Sequence, residues 1–448
     1  MHVPTLILPC DIVFLFREHQ KEIRMLRRFN RLCRNCLAIG IVVFVFTFTS
    51  SCTKDNQGKP SPPTPNCPTL LIAQAQFRAV SGPDGKTKQQ PGPAVLILKQ
   101  KTSAGWQEIV IEDPESNVFH KAILFPEDAA PMQILTIGAM DAALKKWLFK
   151  DNGWQQKFLW HPVFGGKWNR LRDMEIGDVN GDGNPEIVIA THDQGVVAVA
   201  EQKNQEWNIE EIDREPDIFV HEMEIGDVTG DGKNEFFVTP SKPNKAEGGP
   251  QPGAVIMYQW DGTNYKKTLV DSFEKTHAKE ILATDLSGTG TATLFSVIEA
   301  ETLVEEGKAV RTAPVKIKKY VFKNGSIRST VIATIEDSQC RFICAGDVDG
   351  DRKTELVASA MTSGIWLLKE TREGSWSVTQ IDAASSGYEH ATCLADIDGD
   401  GVKEIIVASD DQGELREYKW NGTAFTKAII SSIPKGRITW NVSYGIFK

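Results

Sequence analysis

The sequence predicts an all-β protein, a seven-bladed β-propeller of four-stranded antiparallel blades closed by pairing of its N- and C-terminal strands. Three observations lead there. A loop motif recurs at the spacing of one blade, each copy is followed by two strands around a tight turn, and the two ends of the folded part supply complementary fractions of one further repeat.

The loop comes first. "IGDVNGDGNPEIVIA" (Ile176–Ala190) places oxygen-bearing side chains at Asp178, Asn180 and Asp182 and then Gly183, the alternation that wraps a chain around a hard cation. It is not an EF-hand. Where an EF-hand closes with a bidentate Glu stands Ile189, and the only closing carboxylate is Glu186. The flanks "MEIGD" and "EIVIA" are short and rich in β-branched residues, so the loop joins two strands rather than two helices. Further copies begin at Asp227, Asp285, Asp347 and Asp396, with successive spacings of 49, 58, 62 and 49 residues.

The third and fourth strands follow in "KKWLFKDNGWQQKFLW", "VIMYQWDGTNYKKTLV", "IKKYVFKNGSIRSTVI" and "LREYKWNGTAFTKAII". Asp-Gly and Asn-Gly at their centres predict type I′ hairpins, whose two central residues need positive φ. A sixth repeat, "HKAILFPEDAAPMQILTIG", precedes the first loop without its carboxylates. "TLLIAQ", "AVLILKQK" and "WQEIVIED" read as second, third and fourth strands lacking a first, which the C-terminal "RITWNVSYGIFK" would provide. Joined, these ends make a seventh blade and leave no open sheet edge.

The N-terminus has another character. Residues 1–51 comprise an extension and a signal peptide, with a basic "MLRRFNRLCRNC" before the twelve-residue apolar run Leu37 to Phe48, too short to span a bilayer comfortably. Met25 is an alternative start. Small residues before Cys52 mark a bacterial lipoprotein signal with Cys52 as the lipidated residue, and 52–69 form a flexible Pro-rich tether ahead of the propeller at 70–448. Such a chain is exported and lipid-anchored in the cell envelope, or else secreted, and touches the membrane through its anchor only. A net charge of −9 argues against a nucleic-acid partner. Cys33 and Cys36 lack a second pair for zinc, and Cys344 and Cys393 read as packing residues of first strands.

At these loops the chain resembles the FG-GAP and VCBS repeat proteins, whose best-known relative is the propeller of integrin alpha subunits. The resemblance spans roughly residues 70 to 448 and implies a propeller with calcium loops. It supplies no activity, because members serve as lectins, adhesion modules, lyase scaffolds and sensors.

Calcium is the expected cofactor, in two to four structural sites. Asp178, Asn180, Asp182 and Glu186, with the carbonyl of Asn184, form one full set, and Asp396, Asp398, Asp400 and Glu404, with the carbonyl of Val402, form another. Asp227, Asp231 and Glu235 enclose Thr229, while Asp347, Asp349, Asp351 and Glu355 keep four carboxylates but have Arg352 at the turn glycine. Ser287, Thr289 and Thr293 leave the Asp285 loop with a single acid and no ion.

A second periodic feature concerns ligand binding. At one equivalent position of all seven repeats, where the first strand begins, the expected residue is a His or Arg: His120, Arg172, His221, His277, Arg341, His390 and Arg437. These seven side chains are expected to gather around the mouth of the central channel, opposite the calcium loops, joined by His192, Asp193, Asp410 and Asp411 from the ends of second strands, with Tyr388 nearby. Such a funnel would bind a carbohydrate or another anionic group, or a transition metal on the histidines. The alternative is structural, each His or Arg bridging its blade to the next through backbone carbonyls. Two functions follow: a surface-tethered, calcium-stabilised binding propeller, or a polysaccharide lyase using the ring as base and cation.

Overall fold

In the computed structural model, residues 62–447 are described, apart from 82–86, 126–132, 140, 205, 244–247 and 373. The chain divides into Met1–Lys59 and Pro60–Lys448, and every described residue belongs to the second unit. The signal-like segment 1–51, Cys52 and the first residues of the tether lie outside the described residues.

The protein is all-β, with no helix among the described residues. Five antiparallel sheets of four strands follow one another along the chain, with first strands Leu171–Gly177, Phe219–Gly226, Ala278–Thr284, Cys340–Gly346 and Thr392–Ala395. In each, sequence order is spatial order, the signature of a meander built from short turns. The third of them carries an inserted hairpin, Glu301–Glu305 with Lys308–Ala313, between its second and third strands.

The remaining strands form one nine-stranded sheet. Its halves are Val118–Leu124, Gln133–Ala139, Ala143–Lys150 and Gly153–Trp160 on one side, and Pro68–Ser81, Ala94–Thr102 and Gly105–Asp113 on the other. They are joined only at Ala75 opposite Val118. The long strand Pro68–Ser81 also pairs along its length with the C-terminal Arg437–Ile446.

Second strands are buried on both faces, as "EIVIAT", "ELVASA" and "EIIVAS" show, because each sheet is covered by a neighbour on either side. Alternate residues therefore join different cores. Ile187 and Ile189 pack with Leu135, Ile137 and Leu144 of the preceding sheet, whereas Val188 and Ala190 pack with Met223, Phe236 and Val238 of the following one. The same holds at the chain ends, where Leu70 and Ile72 pack on Cys393, Ile406 and Ala408 while Leu71 and Ala73 pack on Phe119, Ala122 and Ile134. First strands of consecutive sheets also touch one another, and Arg437–Ile446 touches both Thr392–Ala395 and Val118–Leu124.

The hairpins divide into two kinds. Asn324 and Gly325 (φ 51° and 72°) form the expected pair of positive-φ residues, whereas in the first hairpin the turn sits one residue before the expected Asn152-Gly153, at Asp151 and Asn152 (φ 54° and 62°). The Asp261-Gly262 and Asn421-Gly422 turns depart from it. There the loop is longer, and the Asp261 carboxylate accepts from the backbone of Thr263 and Asn264 as Asn421 does from Thr423 and Ala424. An Asx side chain that caps its own loop displaces the two-residue turn.

Candidate functional site

Each of six first strands slips its pairing with the second strand near its start. The extra residue is His120, Arg172, Lys279, Arg341 or Trp440, and in the remaining case the slip covers His221 and Glu222. A bulge frees one residue from the ladder and re-aims its side chain. Here it turns large polar groups toward the neighbouring first strands.

The result is a buried, mixed-charge cluster. Arg172 Nη2 lies 2.7 Å from Glu222 Oε1 and 3.6 Å from Glu389 Oε2. Arg341 Nη1 lies 2.5 Å from Glu389 Oε1, and its Nε lies 3.5 Å from Glu299. His277 Nε2 is 3.7 Å from the other Glu299 oxygen. Lys279 Nζ donates to His221 Nδ1 at 2.9 Å, and His192 Nε2 stands 3.0 Å from that same nitrogen. His221 Nε2 is 2.7 Å from Ser241 Oγ, whose own proton goes to the Lys242 carbonyl, so the neutral His221 carries its proton on Nε2.

Of the seven predicted residues, Arg172, His221, His277 and Arg341 join this network, His120 borders it through ring contacts with His192 and Trp440, and two do not join it. His390 takes a left-handed φ of 57° and turns away, bonding Ser385 and the Ala360 carbonyl, while the preceding Glu389 faces the two arginines. Arg437 pairs with Gln74, and the bulged residue of its strand is Trp440. His277 is present but is not the equivalent residue. Counted back from the loop aspartates, the position of Arg172, His221 and Arg341 is held by Lys279 in the Asp285 repeat. That signal lay in the sequence, whereas Glu299 and Glu389 could be found only through the fold. His120 and His390 each bond a carbonyl of an adjacent sheet, Leu171 and Ala360, the bridging role foreseen as the alternative.

Burial dominates the electrostatics. It holds His120, His192, His221 and His277 well below the usual histidine range, with nearby Arg172 or Lys279 and other cations acting in the same direction. Lys279 is pulled down to about 7 by burial and by Arg172 and Arg341. Glu222 is pushed up to about 8 by burial, against the pull of Arg172. The cluster is therefore not the open cationic funnel expected, because glutamates on adjacent strands neutralise the arginines.

Aromatic rings lie over it. The Arg341 guanidinium sits 4.6 Å from the Tyr388 ring and that of Arg172 sits 5.4 Å from Trp440, with the two rings 6.1 Å apart. Both rings are half-buried. Among the described residues, Arg172 Nε, Arg341 Nε, Trp440 Nε1 and His277 Nδ1 are buried without a hydrogen-bond partner. Asp193 accepts from Gly166, and Asp410 accepts from Thr439 N and Oγ1 at 2.7 and 2.8 Å, so the first holds a loop and the second the C-terminal strand rather than the cluster.

The five loops share one conformation. Asp178 accepts from Gly181 and Gly183, Asp227 from Gly230 and Gly232, Asp347 from Gly350 and Arg352, Asp396 from Gly399 and Gly401, and Asp285 still accepts from Gly290. Arg352 adopts the φ of 65° that glycine supplies elsewhere. The closing glutamates are buried, each accepting the backbone N–H after the first aspartate: Glu186 from Val179, Glu235 from Val228, Glu355 from Val348 and Glu404 from Ile397. Burial, Asp182 and Asp178 push Glu186 up to about 7, the mark of a carboxylate suited to a cation. Carboxylates converge in two groups, Asp347, Asp349, Asp351 and Glu355, and Asp396, Asp398 and Glu404.

A family profile for the FG-GAP-like repeat matches residues 178–238 and 347–407, each beginning at a loop aspartate. The chain carries FG-GAP-like repeats. Among solved structures, the periplasmic gluconolactonase PpgL of Pseudomonas aeruginosa is similar to this FG-GAP-like propeller over 84% of this chain and 99% of its own, at 10% identity and a TM-score of 0.50, a likeness of fold alone. A nidogen/laminin complex aligns over 70% of this chain and 97% of its own at 11% identity, with a TM-score of 0.37. No curated protein matches the sequence.

Proposed function

We propose that the chain is a surface-tethered, calcium-stabilised propeller of seven blades that binds an anionic carbohydrate at the mouth of its axis. The reading rests on one observation. The Arg172 and Arg341 guanidinium groups, with Arg172 Nε and Trp440 Nε1 lacking hydrogen-bond partners, belong to one contact network with the half-buried rings of Tyr388 and Trp440. Rings that stack on a sugar face and guanidinium donors that receive its carboxylate are the two parts of acidic-sugar recognition.

Seven blades follow if the nine-stranded sheet is counted as two, and closure is supported by the pairing of Pro68–Ser81 with Arg437–Ile446. Calcium would be held by Asp178, Asn180, Asp182 and Glu186 and by the Asp227, Asp231 and Glu235 set with Thr229, and the Asp347 and Asp396 loops carry the equivalent acids. It would neutralise clustered carboxylates and stiffen the loops. Anchoring would be through a lipidated Cys52.

The test is retention of the full chain on immobilised uronate-containing and neutral polysaccharides, repeated with Tyr388→Ala and Trp440→Ala. Retention on acidic polymers that both variants lose is the expected result. Equal behaviour of all three proteins overturns the assignment. A second reading, a lyase, is favoured by Lys279, whose depressed basicity beside His221 suits proton abstraction. Absorbance of unsaturated uronate during the same incubation would distinguish it.

A further inference from the structure

Within the calcium reading, the loops are not equivalent. The difference lies on the third strand. The second-to-third-strand ladders end at Ile187–Ala200, Phe236–Tyr258, Leu356–Leu368 and Ile405–Tyr418, so the next residue of the third strand beside each closing glutamate is Glu201 for Glu186, Gln259 for Glu235, Lys369 for Glu355 and Lys419 for Glu404. In the Asp285 repeat, where the acids are gone, the corresponding residue beside Thr293 is Val321.

We infer that Lys369 and Lys419 are built-in cations that take the ion's place in the Asp347 and Asp396 loops, so that calcium loads selectively into the Asp178 and Asp227 loops. Lys369 Nζ lies 2.5 Å from Asp349, 2.8 Å from Asp351 and 3.3 Å from Glu355. Lys419 Nζ contacts Asp398 and lies 3.0 Å from both Asp400 and Glu404. Each ammonium thus touches three carboxylates of one loop, including its buried closing glutamate. These are also the two loops whose carboxylates converge.

The partners of the other two loops behave oppositely. Gln259 donates a neutral amide hydrogen bond to Glu235, 2.8 Å away. Glu201 is a further carboxylate near Glu186, and it is itself paired with Lys203 Nζ at 2.6 Å. Neither supplies a charge that could stand in for an ion. A fixed ammonium among carboxylates makes the local potential less negative, weakens the attraction for a second cation and would have to be expelled before calcium bound. A swap on the third strand therefore converts one kind of loop into the other.

This inference rests on the calcium reading, and the experiment separates the two. Full-length chain is stripped with chelator and titrated with calcium by calorimetry, and thermal unfolding is followed with and without chelator. The variants are Lys369→Met, Lys419→Met and Glu201→Lys. Each lysine removal is expected to add one calcium site, with affinity at that loop raised about tenfold or more, and to make the variant's melting temperature calcium-dependent. Glu201→Lys is expected to remove one site.

Calcium binding by the parent chain that none of the three substitutions alters in number overturns the inference and leaves the calcium reading standing. No binding by parent or variants overturns the calcium reading itself. A lysine variant that unfolds in chelator but folds in calcium supports the inference, since the ion then replaces the lost ammonium.

Discussion

Glu389 receives Arg341 at 2.5 Å and Arg172 at 3.6 Å, although the two arginines come from sheets that are not neighbours in the chain. Glu389 is almost fully buried. One carboxylate thereby ties three first strands together around the axis. The arrangement depends on the backbone at the next residue, since His390 in its left-handed conformation turns aside and leaves Glu389 facing inward.

Removing one partner of this ion pair strands a buried charge. Glu389→Ala is therefore expected to cost about 3–5 kcal/mol of unfolding free energy. Arg341→Met combined with Glu389→Leu should cost clearly less than the sum of the single changes, because neither member of the closest pair is left without the other. Urea unfolding of the three variants measures both quantities, and additive costs would show that the two side chains do not interact.

Acid should weaken the fold. His120, His192, His221 and His277 are held below their ordinary pKa, so the unfolded chain takes up protons first as pH falls. Stability from these groups is complete above about 6.5 and declines below it. Lys279 adds a second slope: lowered to about 7, it makes stability fall as pH drops from about 10.4 toward 7 and then level off. Glu222, raised to about 8, acts in the opposite sense below that pH. Lys279→Met should flatten the alkaline slope and leave the acid one, which chemical unfolding at a series of pH values would reveal.

Much of this architecture was legible in the sequence because loops and hairpins are local. Asp178 to Glu186 spell out both the turn and the two strands it joins, and Asn324-Gly325 fix a hairpin by their conformational preference. The axial cluster was legible only in part. Arg172, His221 and Arg341 recur in register, but a bulge or, at His390, a left-handed residue decides which side chain faces the neighbouring first strands, and no local pattern marks either. Glu389 thus replaced His390, and Trp440 replaced Arg437. The glutamates that neutralise the arginines come from neighbouring sheets, a relation that exists only after the blades are packed.

Asp410 and Thr439 should matter for holding the C-terminal strand. The carboxylate accepts both the backbone N–H and the hydroxyl of Thr439, and both residues are largely buried. Asp410→Ala leaves those donors unmet, at an expected cost of about 1–3 kcal/mol. If Arg437–Ile446 closes the fold, the loss should also speed proteolytic removal of that strand, detectable as a small shift in mass during limited digestion. An unchanged digestion rate would place the stabilising role elsewhere.

Glu186→Gln should behave differently with and without calcium. Its amide oxygen can still accept from Val179, so the turn survives, while the charge beside Asp178 and Asp182 disappears. In chelator the substitution relieves the cost of burying a carboxylate pushed up to about 7, and the variant should be as stable as the parent or more so. With calcium at about one hundred times its dissociation constant, the parent gains roughly 2.7 kcal/mol per occupied site and the variant loses that contribution at this loop. The stability order of the two proteins therefore reverses on adding calcium, as thermal unfolding would record. A variant less stable than the parent in both conditions would mean that Glu186 serves the loop through its hydrogen bonds alone.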